Sequence, residues 1–575
     1  MNSSRAQTDE WLRRLDEARS SLQEKWVQQL DACAPPAFAE LIRSLTTSLL
    51  ADQDSVRQLQ ARFYREQFDL WLEVLGKKTQ PEAAQTLDRD PRFSAPEWRE
   101  LPWFDYLRRS YAVSARWLHD LLETVRADEA TRRKLRFYGR QFIDAAAPSN
   151  CALTNPEVIK LALATQGESL ASGLKNLEAD ADKGRVSMTD ETAFEVGRNL
   201  ALTPGAVIYQ NDLIQLIQYR PASATVQSRP LLIVPPFINK YYILDLQPEN
   251  SFVRHAVESG VTVFIVSWRN VPASLGRLTW DDYIEHGAIS AIEVVRDLHA
   301  RRKINALGFC VGGTLLACAL AVLARRKRRP VASLTLLAAM LDFCDPGDIR
   351  VYIDEAYVKR CEHELGHGGV FPGSRLAAAF ASLRPNDLVW RYVVNNYLKG
   401  RTPPAFDLLY WNSDSANLPG PLYVYYLRTM YLENALRQPD KLTMCGAPVD
   451  LGRIDVPTYV LATAEDHIVP WRAAYAGTRL LGKDVTFVRA ASGHIAGVIS
   501  PPHHHRRSYR TGPLEPDSDA WLAHSAEYEG SWWPHWRDWI KPHAGKRVPA
   551  PKQLGSVRYP ERERAPGSYV VERSR

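Results

Sequence analysis

Three observations in the 575-residue sequence predict an α/β fold with a mostly parallel sheet, preceded by a mainly helical N-terminal domain and interrupted by an insertion. From about Val207, short apolar runs alternate with stretches of helical periodicity, as strands covered on both faces do. One such run, 304–307, leads into Gly308-Phe309-Cys310-Val311-Gly312 and then into an apolar stretch over 313–324. Two later runs end in polar groups, Glu465-Asp466-His467 and Gly493-His494. The carboxyl ends of strands are where an open α/β sheet holds its ligands.

Composition sets the bounds. Hydrophobic residues make up 45% and charged residues 24%, ordinary for a globular protein, and the length leaves room for several domains. The net charge of +6 is concentrated in 541–575, which holds nine Lys/Arg against three Asp/Glu. The rest is near neutral, a weak argument for a nucleic-acid partner, which wants a basic face on a domain, and no nucleic acid is expected, while anionic substrates or an anionic surface stay open as partners. Seven cysteines lie scattered, odd in number and without a CxxC, which fits reduced thiols in the cytoplasm. The first residues are polar, and no apolar run reaches the ~18 residues of a membrane span. The longest, 315–324, ends in a basic cluster at 325–329 that suits a helix C-terminus.

Residues 1–190 read as helical. Trp11, Leu12, Leu15, Ala18, Leu22, Trp26, Val27 and Leu30 fall at three- and four-residue spacings, and 55–75 and 106–127 repeat the pattern, with Pro and Asp punctuating 88–96. Such faces pack on a neighbour or meet an apolar phase. A catalytic domain follows over 191–545. Its strands are expected at 231–234, stopped by Pro235-Pro236, then at 261–266, 304–307 and 331–338, with a helix at 281–300. Over 341–446 the alternation is lost in an aromatic-rich stretch, which includes Trp390, Tyr397, Trp411, Tyr425 and Tyr426. This is the expected cap, lying over the carboxyl edge of the sheet, and a mobile one if it must open to substrate. The alternation resumes with a strand at 456–463, a helix at 471–481 and a strand at 485–490. Residues 546–575 read as a basic, Pro-rich tail.

The chemistry gathers at Cys310. Strand, tight turn and helix with a nucleophile at the turn is the layout of the nucleophile elbow, and its glycines let strand and helix pass closely. A thiol at a helix N-terminus is favoured as thiolate. It needs a base and an orienting group. His494 is the candidate base, and Glu465, Asp466 and His467 compete by adjacency for the orienting role. Nucleophile, acid, His is the chain order of the α/β-hydrolase fold. The oxyanion of a tetrahedral intermediate would meet the Val311 N–H and an amide from Pro235-Pro236-Phe237-Ile238-Asn239, with Phe237 and Ile238 first in line. His363-Glu364-Leu365-Gly366-His367 matches a zinc-protease pattern, but Gly366, Gly368, Gly369 and Pro372 argue against the helix it needs, so no metal is expected. His503-His504-His505 has no acidic or Cys companion and reads as a solvated loop.

Longer stretches carry a resemblance. They include Phe142-Ile143-Asp144-Ala145, Asn155-Pro156-Glu157, Thr203-Pro204-Gly205-Ala206-Val207, Asn239-Lys240-Tyr241-Tyr242-Ile243-Leu244-Asp245-Leu246, Val266-Ser267-Trp268-Arg269-Asn270, Asn417-Leu418-Pro419-Gly420-Pro421, Gly493-His494-Ile495-Ala496-Gly497 and Gly530-Ser531-Trp532-Trp533-Pro534. From about Trp98 onward the sequence resembles class I polyhydroxyalkanoate synthases. Ser500, where Asn is expected before the two prolines, and the His-Arg loop after Pro502 depart from the pattern without touching the proposed triad. The resemblance implies polymerisation of (R)-3-hydroxyacyl-CoA, of short chains such as 3-hydroxybutyryl, into polyester with release of CoA through an acyl-Cys310 thioester. It selects Asp466 as the acid, either to hold His494 or to assist deprotonation of the incoming 3-hydroxyl. It implies a homodimer acting on a growing chain at the surface of cytoplasmic granules, with no cofactor beyond the CoA of the substrate. Arg384 and the 325–329 cluster are candidates for CoA phosphate contacts, and Asn239 for a substrate contact. The alternative within the same fold is a thioesterase or polyester depolymerase, in which water replaces the hydroxyacyl acceptor.

Overall fold

The structure is a computed structural model that describes residues 13, 38–76, 90–482, 484–503 and 507–573. The helix expected over 11–30 lies outside the described residues except Arg13, as do His504 and His505. The chain divides into two units, residues 1–190 with 378–404, and residues 191–377 with 405–575.

The first unit is helical: α1 (Phe38–Ala51), α2 (Gln53–Val74), α3 (Pro102–Glu123), α4 (Glu129–Ala145), α5 (Pro156–Ala164) and α6 (Glu168–Lys183). Side chains set the helix starts. Asp52, Asp128 and Asn155 accept from the first-turn amides of α2, α4 and α5, and Pro156 takes the first position of α5. Phe93 meets Trp98 edge-on at 4.9 Å in the unit's core. α2 leaves Tyr64, Phe68, Trp71 and Leu75 exposed at spacings of four, three and four, a single apolar stripe. The 378–404 segment joins this unit through α6: Tyr397 Oη donates to Asp180 at 2.7 Å, and Gly173 lets the Tyr397 carbonyl approach where any Cβ would clash. Sequence places this segment within the cap. Its partners are polar groups of α4, α5 and α6, such as Asp144, Glu157 and Asp180, which no local pattern reveals.

The second unit is built on one eleven-stranded sheet. Its strands are β1 (Gly205–Gln210), β2 (Ile214–Tyr219), β3 (Leu231–Val234), β4 (Val263–Trp268), β5 (Ile304–Phe309), β6 (Val331–Leu337), β7 (Thr458–Thr463), β8 (Val485–Ala490), β9 (Ser508–Thr511), β10 (Ala526–Glu529) and β11 (Glu563–Arg564). From one edge to the other the order is β10-β9-β8-β7-β6-β5-β3-β4-β2-β1-β11. Strands β3 to β8 pair in parallel, and the flanking strands are antiparallel. The parallel strands are buried along their length and read Leu-Leu-Ile-Val or Thr-Tyr-Val-Leu-Ala-Thr, as a sheet covered on both faces requires. Because β3 lies between β4 and β5, the strand order reverses beside β5, and a crevice opens at the carboxyl ends there. The helical run expected at 281–300 is Trp280–Asp282, a π-helical Tyr283–Ile289 and Ser290–Leu298. The segment read as a tail folds back: β11 pairs with β1, and Arg547–Pro549 pairs with Thr225–Gln227. Its Pro-rich, charged composition suits a short edge strand as well as a free tail. No described helix is long and apolar enough to cross a membrane, and the six described cysteines form no disulfide.

Asp245 anchors the chain that follows the loop after β3. Its carboxylate is buried and accepts from Thr203 Oγ1 at 2.5 Å, Ser251 Oγ at 2.6 Å and Tyr219 Oη at 3.3 Å. Burial pushes its pKa up from 3.8 to about 6, against the pull of Ser251, Thr203 and Tyr219. A pKa raised on folding favours the folded state fully below the unfolded value and loses that advantage as pH rises through about 6. Asp245→Asn removes the titration; the amide oxygen can still accept from Thr203 and Ser251, and the amide nitrogen can donate to the Tyr219 hydroxyl. The wild type should therefore lose stability relative to the variant between about pH 4 and 6, by up to roughly 3 kcal/mol. A Tm difference between the two that stays flat across that range would contradict this.

Candidate active site

The nucleophile is placed by strain and close approach. Cys310 sits at φ 53°, ψ −130° between β5 and α7 (Val311–Arg325), a backbone region that an L-residue occupies only when its surroundings impose it. A Cβ on Gly308 would come within 2.3 Å of the Gly313 Cα, so strand and helix could not cross. A Cβ on Gly312 would strike the carbonyls of Val234 and Pro235 at 2.5 and 2.3 Å. That contact seats the helix start against the end of β3 and brings the 235–239 loop beside Cys310. The Val311 N–H opens α7 and is one of the amides a helix leaves without an intrahelical acceptor.

The loop is fixed from several sides. Trp268 Nε1 donates to the Pro235 carbonyl at 2.9 Å, and the Phe237 ring meets Trp268, Trp280 and Tyr283 edge-on at 4.9–6.2 Å. From the insertion, Ala416 N–H donates to the Ile238 carbonyl at 3.0 Å, and Asn239 bridges to Ser415. Arg384 lies in the 378–404 segment of the first unit and pairs with Asp387 at 3.0 Å. The 325–329 cluster is at the far end of the 15-residue α7, about 22 Å from Cys310. There Arg325, Arg326 and Arg328 pair with Asp440, Glu285 and Glu293. It serves the helix end and does not reach the nucleophile.

Asp466 and His494 meet across the ends of β7 and β8. Asp466 Oδ1 accepts from the Ile468 and Val469 amides, both at 2.8 Å, and Oδ2 accepts from Thr463 Oγ1 at 3.1 Å. The same Oδ2 accepts from His494 Nδ1 at 2.7 Å. Glu465 is exposed. With Nδ1 engaged by Asp466, the imidazole stacks on Phe309, the residue before Cys310, at 5.6 Å, and Cys310 is among the groups that raise its pKa. His494 opens the short helix α10 (His494–Val498). Indole donors hold that helix down: Trp532 Nε1 to the Gly497 carbonyl and Trp533 Nε1 to the Val498 carbonyl, each at 3.0 Å. Burial opposes a charge on His494, yet Asp466 and Cys310 outweigh it and raise its pKa. Cys310, Asp466 and His494 are 7%, 9% and 5% exposed, so a charge formed among them is felt in a low dielectric.

Sequence reasoning missed the aromatic wall beside the sulfur. Phe343, in the loop after β6, contacts Tyr426 and Tyr431 at 6.0 and 5.0 Å, and Trp280 stacks on Tyr426 at 5.3 Å. The zinc-protease pattern is broken, since its helix α8 (Glu355–Leu365) ends before His367.

A mostly parallel sheet with the order 1-2-4-3-5-6-7-8, a thiol at the elbow after β5 and a His–Asp pair after β8 and β7 define an α/β-hydrolase-fold protein. The alpha/beta hydrolase fold family matches residues 229–501, and the family described as Poly-beta-hydroxybutyrate polymerase (PhaC) N-terminus matches 89–256. The chain is 52% identical to the poly(3-hydroxyalkanoate) polymerase subunit PhaC of Cupriavidus necator, over 89% of this chain and 87% of that protein. It is 43% identical to the subunit of the same name from Rhizobium etli, over 84% and 77% of the two chains. It is 41% identical to the poly(3-hydroxyalkanoate) polymerase of Methylorubrum extorquens, over 92% and 90%. The chain belongs to the poly(3-hydroxyalkanoate) polymerase family of acyltransferases.

Proposed function

We propose that this protein polymerises (R)-3-hydroxyacyl-CoA, with 3-hydroxybutyryl-CoA as its short-chain substrate, through an acyl thioester on Cys310. The observation that carries the reading is the thiol at a strained elbow, with the ring of His494, held by Asp466, stacked on the residue before it. His494 takes the thiol proton, and the thiolate attacks the thioester carbonyl. The Val311 amide and an amide of Phe237 or Ile238 stabilise the oxyanion. The carbon–sulfur bond to CoA then breaks, and CoA leaves as the thiol with the proton from His494. One thioester replaces another, so the acyl group stays activated. A 3-hydroxyl, deprotonated by His494 with Asp466 behind it, attacks that acyl group, forms the ester and frees the Cys310 sulfur. Arg384 and Asn239 remain candidates for contacts to CoA and substrate. No cofactor enters the scheme. Incubating the protein with 3-hydroxybutyryl-CoA should release free CoA thiol and leave insoluble polyester; thiol release with free 3-hydroxybutyrate and no polymer would favour the hydrolase reading.

The helical first unit serves homodimer assembly and attachment to cytoplasmic polyester granules. The apolar stripe on α2 supports this. Removing residues 1–190 strips Asp180 from Tyr397, so the expected product is an ordered α/β core with a loosened 378–404 segment that has lost dimerisation, granule binding or both. Sedimentation and granule pull-down with both properties intact would refute that role. The insertion acts as a mobile cap that keeps water from the acyl thioester. Hydrogen exchange over 341–446 should slow on binding a non-hydrolysable hydroxyacyl-CoA analogue; uniform slow exchange indifferent to the analogue would remove the gate.

A further inference from the structure

A buried lysine ties the 235–239 loop to residues far along the chain. Lys240 follows Asn239 directly and is 2% exposed. Its ammonium donates to the Glu572 carbonyl at 2.5 Å and to the Tyr569 carbonyl at 3.4 Å, its only acceptors among the described residues. Its own carbonyl accepts from Trp411 Nε1, on α9 (Asp407–Asn412), at 2.6 Å. An ammonium so placed loses its hydration, and burial lowers its pKa from 10.5 while Asp414 and Glu572 oppose that. A hydrophobic side chain of similar volume would serve packing as well or better, so the fold alone does not call for a lysine. The partner segment is itself held. Tyr569 Oη donates to the Asn211 carbonyl at 2.7 Å, and Tyr569 N–H donates to Gln215 Oε1 at 3.0 Å. The Arg269 guanidinium lies over the Tyr569 ring at 5.0 Å and pairs with Glu572 at 3.3 Å. Arg269 follows Trp268, whose indole donates to the Pro235 carbonyl. Residues 569–572 therefore brace the loop at both ends, directly at Lys240 and through the end of β4 at Pro235.

We propose that Lys240 is a positioning residue: by fixing the 235–239 loop to residues 569–572, it aims the Phe237 or Ile238 amide at the oxyanion. The inference rests on the reading of that loop as an oxyanion donor and of Cys310 as the nucleophile. Oxyanion donors act by being in place before charge develops, and removal of one costs about 10²- to 10³-fold in rate. A loop released at one end loses part of that, about 10- to 100-fold. The amide meets charge that exists only in the transition state, so the loss falls on the acylation rate and not on affinity for the thioester. In this role Lys240 moves no proton and touches no reacting atom.

Single-turnover CoA release from 3-hydroxybutyryl-CoA is measured in the wild type, Lys240→Met, Tyr569→Ala and the double variant. In parallel, alkylation of Cys310 by iodoacetamide is followed by mass spectrometry. Alkylation displaces iodide at a saturated carbon and forms no oxyanion, so it reports the thiol and its base alone. Lys240→Met should acylate about 10- to 100-fold more slowly at saturating thioester, with half-saturation within about threefold of wild type and alkylation within about twofold. Tyr569→Ala loosens the same brace from its far side and should show the same split. The double variant should be little worse than the slower single one, because the two changes break one connection. Acylation at the wild-type rate overturns the proposal, and so do acylation and alkylation that fall together, or losses that multiply in the double variant. Should Lys240→Met not fold, Tyr569→Ala is judged by the same split. An acyl group on a residue other than Cys310 would instead overturn the reading of the nucleophile, whichever way the variants behave.

Discussion

Cys310→Ala is expected to abolish both the covalent acyl-enzyme and CoA release, a loss on the order of 10⁶-fold, as when a triad nucleophile is removed. The argument is positional. Cys310 alone of the described cysteines lies at the elbow, next to the Phe309 ring on which His494 stacks and with the first amides of α7 behind it. Cys318, about two turns along the same helix, offers the contrast. It is wholly buried, and burial pushes its thiol pKa up to about 12, so it has no thiolate to offer near neutrality. Cys318→Ala should keep most of the turnover and cost about 1 kcal/mol of packing, at the low end for a small buried side chain. Mass spectrometry of the acylated protein decides the matter: an acyl group on any cysteine other than Cys310 would overturn the assignment.

How much was legible depended on how local each determinant is. The elbow is read from five consecutive residues, because the strain at Cys310 and the crossing at Gly308 and Gly312 are imposed within one turn of chain. The buried strands β3, β5 and β8 were placed to within two residues of their bounds, since a strand covered on both faces is an unbroken apolar run. The acid was harder. Glu465, Asp466 and His467 are adjacent, and only the turn after β7 sends Asp466 inward to accept from two amides while Glu465 faces solvent. β1, β2 and the C-terminal strands β9 to β11 were not read as strands. β2 is buried throughout, but Gln215 and Gln218 interrupt its apolar run, while β9 to β11 are only two to four residues long and partly or wholly exposed, and β11 finds its partner β1 far off in sequence. Tyr431 was invisible for a different reason. Its approach to Tyr426 depends on a π-turn, and neither the 3.6-residue nor the two-residue period reports a contact five residues apart.

His494→Ala should slow acylation by several orders of magnitude, because base and nucleophile act as a unit. Asp466→Asn is the more informative change, since it keeps the shape and removes the charge. In the wild type, Asp466 accepts from Nδ1 and so fixes the tautomer whose other nitrogen faces the sulfur. An Asn whose amide turned toward the ring would favour the opposite tautomer, and a loss of about 10³- to 10⁴-fold is expected, of the size that such a change produces in Ser-His-Asp enzymes. The pH response follows from the sign of the shift. Asp466 is the leading favourable partner of a buried imidazole whose pKa is raised; without it burial prevails and the pKa falls. The ring then takes the thiol proton less readily, and the thiolate must be made by bulk base. Activity of Asp466→Asn should therefore recover in part as pH rises above neutrality, where the wild type has no such gain. Glu465→Gln and His467→Gln should stay within a few-fold of wild type, since it is Asp466 that holds Nδ1 of the imidazole. Single-turnover CoA release across pH measures all four variants. Greater damage from Glu465→Gln or His467→Gln than from Asp466→Asn, or an Asp466→Asn profile that never rises, would show that the imidazole is oriented by another group.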